Sequence, residues 1–501
     1  MFNRIFFVSA ILLNLILVKA QTDVDALRFS QNFPVGTSRS SAFANASDAL
    51  GADITNTYTN PAGIGLYRSS EALLSTSFLG INNSASYLNN EMNDTKYNFN
   101  FNNLGFVISN ISDDENEDWK GFNFAVSMNR LNNFHRSMSF SGYNENNSML
   151  DYYIERVNSN GGTNPGNIYN TYPFDAGLAW DAYLINPVDS IDTTHYVNVI
   201  RDGGVSQIMS SVEKGAINEW DLSLGTNYKD RLYLGFSLGL PSIRYKKLSS
   251  YKESDAYDTI PGFNQFTLTE ELNTSGFGVN AKLGMIYKIN KYIRLGGAVH
   301  TPTYYDLTDN YASSVTSDLD TLGTYSAYSP NGEFRYNLYS PWKLVGGISV
   351  FFGKRGFISA DYEFIDYSLA YYDFSAYSVN AEDQLAATSV NNDINNKYGK
   401  AESFRLGTEI IVSEKFAVRA GYAYYGDPFK IKLENEQSID RSRQILSLGF
   451  GFKEGDFFFD FAYRRNLTQD YYTPYVLSSP TEGVKSTINT GGMSMTMGVK
   501  F

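Results

Sequence analysis

The sequence predicts an all-β protein, a fourteen-stranded antiparallel transmembrane β-barrel, on three observations. Apolar and polar residues alternate with period two over many segments. The connections between those segments are long and short in turn. No apolar run beyond the first twenty residues approaches the length of a membrane-crossing helix. Alternation places one face of each strand in lipid and the other in a lumen, and a closed barrel is the β-structure whose backbone groups all pair internally within a bilayer.

Taken in order, residues 1–20 are read as a cleaved secretory signal: Asn3 and Arg4 precede an apolar run over 5–18, and Val18 and Ala20 supply a small-residue cleavage site before Gln21. The chain has no cysteine, so there is no lipid attachment site, disulfide framework or thiol chemistry. A net charge of −13 argues against nucleic acid as a partner, because phosphate binding needs a concentrated positive surface. Residues 40–68 follow, rich in Ala, Ser, Gly and Asn and closing on Asn60, Pro61, Ala62 and Gly63. Small side chains with turn-forming residues suit a compact segment threaded into a confined space.

Strands are expected near 70–80, 97–109, 119–143, 217–228, 231–247, 275–288, 291–306, 339–352, 356–371, 401–412, 416–430, 441–453, 456–466 and 490–501. Met493, Met495, Met497 and Val499 share one face of the last, and Ser494, Thr496, Gly498 and Lys500 the other. The long connections are 81–96, 144–216, 248–274, 307–338, 372–400, 431–440 and 467–489. The opposite end has tight turns such as Lys229-Asp230 and Glu454-Gly455. Long loops on one side and short turns on the other are the pattern of an outer-membrane barrel, and Phe501 ends the chain on an aromatic. The third strand is too long for one crossing. A kink is expected at Leu131, Asn132, Asn133 and Phe134, with two separate short strands as the alternative. The loop 144–216 carries helical spacing at 148–157 and 176–185, where Tyr153, Ile154, Trp180, Tyr183 and Leu184 form a candidate capture surface. Segment 375–398 is polar and reads as a mobile external loop.

Alternation turns Lys282, Arg294, His300, Asp361, Glu363, Arg405, Glu409, Arg419, Asp460 and Arg464 into the lumen, because Arg or Lys facing lipid at mid-membrane costs about 2–4 kcal/mol. Most are expected to pair with one another, since unpaired buried charge is costly. Arg294, His300 and Lys282 are candidates to bind a carboxylate head group beside an apolar pocket. No nucleophile–base pair, metal cluster or phosphate loop stands out, so neither catalysis nor a metal or other cofactor is expected.

Several stretches resemble the outer-membrane long-chain fatty-acid transporter family, the barrels that import hydrophobic compounds. The stretch 46–65, ASDALGADITNTYTNPAGIG, resembles its N-terminal plug, with the family's Asn-Pro-Ala at Asn60, Pro61 and Ala62. The segments 235–251, 293–307, 340–368 and 405–429 are similar to its strands in the same order. Where the family has Tyr-Arg-Ser, this chain has Val299, His300 and Thr301. The resemblance implies a plug, placed at 21–69, inside a barrel of 70–501. It also implies passive transport of a hydrophobic small molecule of the long-chain fatty-acid type. The ligand would be captured among the loops, bound in the lumen, and released sideways at a kinked third strand after a plug movement. The setting implied is a monomer among outer-membrane lipid and lipopolysaccharide. A shuttle for secreted proteins of the type IX route and a non-specific porin are the alternative functions.

Overall fold

The computed structural model describes residues 22–112, 114, 116–200, 203–320, 322–430 and 438–501. The expected signal segment lies outside the described residues. Fourteen strands cross the membrane in an antiparallel, nearest-neighbour meander. They are β1 Glu71–Tyr87, β2 Asn90–Ile111, β3 Trp119–Asn133 continued by Arg136–Asn144, β4 Val205–Tyr228, β5 Leu232–Ser254 and β6 Gln265–Lys288. Next come β7 Ile293–His300 continued by Tyr304–Leu319, β8 Gly332–Tyr339 continued by Lys343–Phe351, and β9 Gly356–Asp366 with an outer piece Tyr371–Asp373. The wall ends with β10 Lys400–Ser413, β11 Phe416–Tyr425, β12 Arg443–Glu454, β13 Phe457–Tyr472 and β14 Val484–Lys500. β14 pairs with β1 from Glu71 opposite Lys500 to Ser86 opposite Lys485, which closes the cylinder.

Both pieces of β3 pair with the single long strand β4, so β3 is one interrupted strand and the even count stands. The breaks in β7 and β8 fall at Pro302 and Pro341, where the ring removes a ladder donor.

The outer connections differ from the sequence reading. Residues 81–96 are not a long loop: β1 and β2 run on to a two-residue turn, Leu88-Asn89, with φ of 45° and 66°, the left-handed geometry of a tight hairpin. The expected loops 248–274, 307–338 and 467–489 likewise shorten as their strands extend outward. Period two fades there because water, rather than lipid, meets the outward face. Segment 375–398 is also corrected, since it holds a helix, Ala381–Lys397, capped by the Asn380 side chain and packed through Ala386, Val390 and Ile394.

Residues 22–70 occupy the lumen. They form α1 Asp23–Ser30, α2 Ser38–Ala42 and two short 3₁₀ turns, Ile54–Thr57 and Pro61–Leu66. The long loop after β3 folds over the outer end as a cap, with α3 Met149–Asn158 and α5 Ala176–Asp181 among its helices, the short α4 Ile168–Thr171 lying between them.

Candidate functional site

The plug is held by close backbone approach and by ion pairs. Asn60 caps the 3₁₀ turn that Pro61 begins: its Oδ1 accepts from Ala62 N at 3.2 Å, while its Nδ2 donates to Asp48 O at 2.6 Å and to Met285 O of β6 at 3.2 Å. A Cβ on Gly63 would lie 2.6 Å from Asn56 Oδ1, so the Asn-Pro-Ala-Gly run is set by space as much as by turn chemistry. The wall reciprocates with glycines. A Cβ on Gly235 would overlap the Pro61 carbonyl, and one on Gly284 would overlap Asn60.

Charge clamps the plug next. Arg39 reaches Glu409 at 3.2 Å, and Glu409 also meets Arg419 at 2.6 Å, which in turn meets Asp460 at 2.6 Å. Asp48 meets Arg405 at 2.8 Å, and Arg405 meets Glu363 at 3.2 Å. Apart from Arg39, which is partly exposed, these groups are nearly dry, so removing one partner strands the other at high cost.

The three sequence candidates for a head-group site are all committed to this scaffold. Lys282, 2% exposed, lies 2.6 Å from Glu219 and 2.7 Å from Asp221. His300 donates from Nε2 to Thr59 O at 2.7 Å, and Arg294 donates to Leu50 O at 2.6 Å. Alternation located them in the lumen correctly. What it did not reveal is their partners, which come from β4 and from the plug.

Free positive charge lies elsewhere. A cavity of about 320 Å³ sits between α1 and the inner faces of β1, β3 and β12–β14. Leu27, Phe33, Leu79, Ile81, Phe134 and Ile488 supply much of its apolar lining. Arg28 pairs there with Asp25, and Arg136 with Glu213 and Asp470. Arg443 and Arg464 have no carboxylate partner among the described residues. Arg443 lies over the Phe33 ring, its guanidinium carbon 3.7 Å from the ring centre, and Arg464 donates to Pro34 O at 3.0 Å. An apolar chamber with two guanidinium groups that meet no described carboxylate can hold an amphipathic anion. Arg464 was legible as a lumen residue. Arg443 was missed because its strand begins at the edge of a polar connection, where alternation is weak.

One end of the cavity is walled by Asn132, Asn133, Phe134 and His135. The β2–β3 ladder runs from Ile111 opposite Gly121 to Asn103 opposite Asn129 and stops there, while β2 above that level pairs only with β1. Side chains close this seam: Asn133 Nδ2 donates to Asn98 Oδ1 at 3.3 Å, Ser139 N to Asp94 Oδ2 at 2.5 Å, and Lys96 Nζ to Glu213 O at 3.0 Å. The expected kink lies at its lower end and is gripped by the plug's first segment. Phe33 N donates to Leu131 O at 2.7 Å, Asn132 Nδ2 donates to Gln31 O at 3.1 Å, and Phe134 packs edge-on to Phe29 of α1, with centres 6.0 Å apart.

The candidate capture surface is divided by the structure. Tyr153 and Leu184 are buried in the cap's own core, Ile154 and Trp180 are half-buried against it, and Tyr183 is 46% exposed beside Tyr325. The apolar face of α3 is spent on folding the cap, so Tyr153 and Leu184 do not present a landing surface.

Fold and lumen together define a plugged outer-membrane β-barrel. The profile of the family described as outer membrane protein transport protein (OMPP1/FadL/TodX) matches residues 211–500, more than half of the chain, and the chain belongs to that family. It is a family of transporters of hydrophobic compounds, not of enzymes. Among solved structures, a Pseudomonas aeruginosa FadL homologue is similar with a TM-score of 0.55 at 12% identity, covering 94% of this chain and 98% of that one. The P. putida toluene transporter TodX gives 0.51 at 12% identity, covering 94% and 99%. At such identities the likeness is one of fold. No curated protein matches the chain.

Proposed function

We propose that the chain passively transports an amphipathic anion, a long-chain fatty acid, across the outer membrane. The carrying observation is the apolar cavity beside the β2–β3 seam, in which Arg443 and Arg464 have no carboxylate partner among the described residues. Head-group capture falls to these two arginines, in place of Lys282, Arg294 and His300. The alkyl tail lies along Leu27, Phe33, Leu79 and Ile81. Exit is sideways through the seam, where side-chain bonds can part without breaking a backbone ladder. The plug's lower part, fixed by ion pairs and glycine contacts, keeps the lumen from acting as an open polar pore. Release of the ligand then needs only α1 and the following strap, residues 31–36, to loosen their grip on Leu131 and Asn132.

Equilibrium binding of radiolabelled saturated fatty acids to the purified protein tests this. Each added methylene is worth about 0.8 kcal/mol, so Kd is expected to fall about fourfold per carbon until the tail fills the cavity. Arg443→Gln is expected to weaken every acid by about tenfold or more, the loss of one charge-assisted bond, and to leave toluene binding unchanged. Toluene binding without fatty-acid binding would replace the anion with an aromatic hydrocarbon. Absence of saturable binding for both would overturn the reading and leave the protein-shuttle alternative.

A further inference from the structure

On the outward face of the wall, Lys214 of β4 stands directly opposite Lys246 of β5, and Arg244 follows on the same face opposite Ala216. All three side chains are exposed. Like charges directly opposite on a sheet destabilise it. Lys246 has one counterion, Glu271 of β6 at 2.6 Å, while Lys214 and Arg244 have none among the described residues. Arg130 of β3 adds a fourth cation nearby, its Nε donating to Asn218 of β4 at 3.1 Å.

Height gives the cluster its meaning. Below it on the same faces lie Trp220, Leu222 and Leu224 of β4, Leu234, Phe236 and Leu240 of β5, and Phe277 and Leu283 of β6, all exposed. Trp220 is opposite Leu240. Arg244 is four residues and Lys246 six residues further outward, roughly 13 and 20 Å along the strand. Strands tilt by about 45°, so the cluster stands near the top of the apolar band, on the side of the long loops, with Leu248 of β5 and Ile208 of β4 exposed beyond it. That is the head-group layer of the outer leaflet.

We infer that Lys214, Arg244 and Lys246 form a binding site for the phosphorylated glucosamine head of lipid A, the anchor of lipopolysaccharide. A phosphate between the opposed lysines converts their repulsion into two charge-assisted bonds, and Arg244 can add a bidentate one. The site flanks the β2–β3 seam, since β4 carries Lys214 and also backs both pieces of β3.

The test is native mass spectrometry of the detergent-purified protein titrated with bisphosphorylated lipid A, dephosphorylated lipid A or phosphatidylglycerol. Wild type, the triple variant Lys214→Gln/Arg244→Gln/Lys246→Gln and the control Lys485→Gln, an outward lysine of β14, are compared. Folding is verified by heat-modifiable migration on gels. Wild type and Lys485→Gln are expected to bind bisphosphorylated lipid A at least about tenfold more tightly than the triple variant does. Dephosphorylated lipid A is expected not to distinguish them. Equal binding by the triple variant, or equal binding of dephosphorylated lipid A or phosphatidylglycerol by wild type, would overturn the assignment. If the triple variant does not fold, Lys214→Gln alone is measured, and wild-type affinity in that variant overturns it.

Discussion

Glu253, buried at the outer end of β5, holds the cap to the barrel. Its carboxylate accepts from Tyr251 Oη at 2.7 Å, Gln207 Nε2 at 2.9 Å, Met149 N at 2.8 Å and the Ser148 hydroxyl, so it caps the first turn of α3 from outside the helix. Replacing it with Ala strands several buried donors, each costing about 1–3 kcal/mol. Glu253→Ala is therefore expected to expose residues 145–204 to limited proteolysis at protease levels that leave wild type intact, with the barrel still folded. A cap equally resistant in the variant would mean that the apolar core alone holds it. This carboxylate was not visible in the sequence, because its partners are gathered from β4, β5 and the cap. The lumen side of Asp361, Glu363, Arg405 and Arg419 was legible, since facing lipid would be costly. Their pairing was not, because a partner across the wall or on the plug is fixed by register rather than by neighbouring residues.

Strands were legible where lipid met one face and the lumen the other, and their outer extensions were not. β1 and β2 illustrate this: Phe78 and Phe106 mark the lipid face, whereas the polar tops from Asn82 and up to Asn98 carry little apolar contrast. The plug motif was legible as a confined segment, but the wall glycines that confine it emerge only from their positions against the plug. Gly284→Val is expected to push on Asn60 and Pro61 and to destabilise the folded barrel by about 1–3 kcal/mol, the range for overpacking. Gly346→Val, where a Cβ meets nothing within 4 Å, serves as its control. The readout is the temperature at which the folded gel mobility is lost, lowered by Gly284→Val and unchanged by Gly346→Val. Equal temperatures for both variants would show that the plug yields at no cost.

At the scale of the molecule, three parts form one route: the cap over the outer end, the cavity under α1, and the seam where the β2–β3 ladder stops. The kink residues link the last two, because plug and seam share Leu131, Asn132 and Phe134. The most direct test closes the seam and measures transport. With no native cysteine, Asn98→Cys/Asn133→Cys places two thiols on side chains that meet across it, 3.3 Å apart as Asn Nδ2 and Oδ1. Uptake of radiolabelled fatty acid into proteoliposomes is measured before and after a short reducible crosslink. Lateral exit predicts that crosslinking brings uptake to background while binding persists, and that reduction restores it. Uptake unchanged by the crosslink would contradict the account and send the ligand through the plug instead.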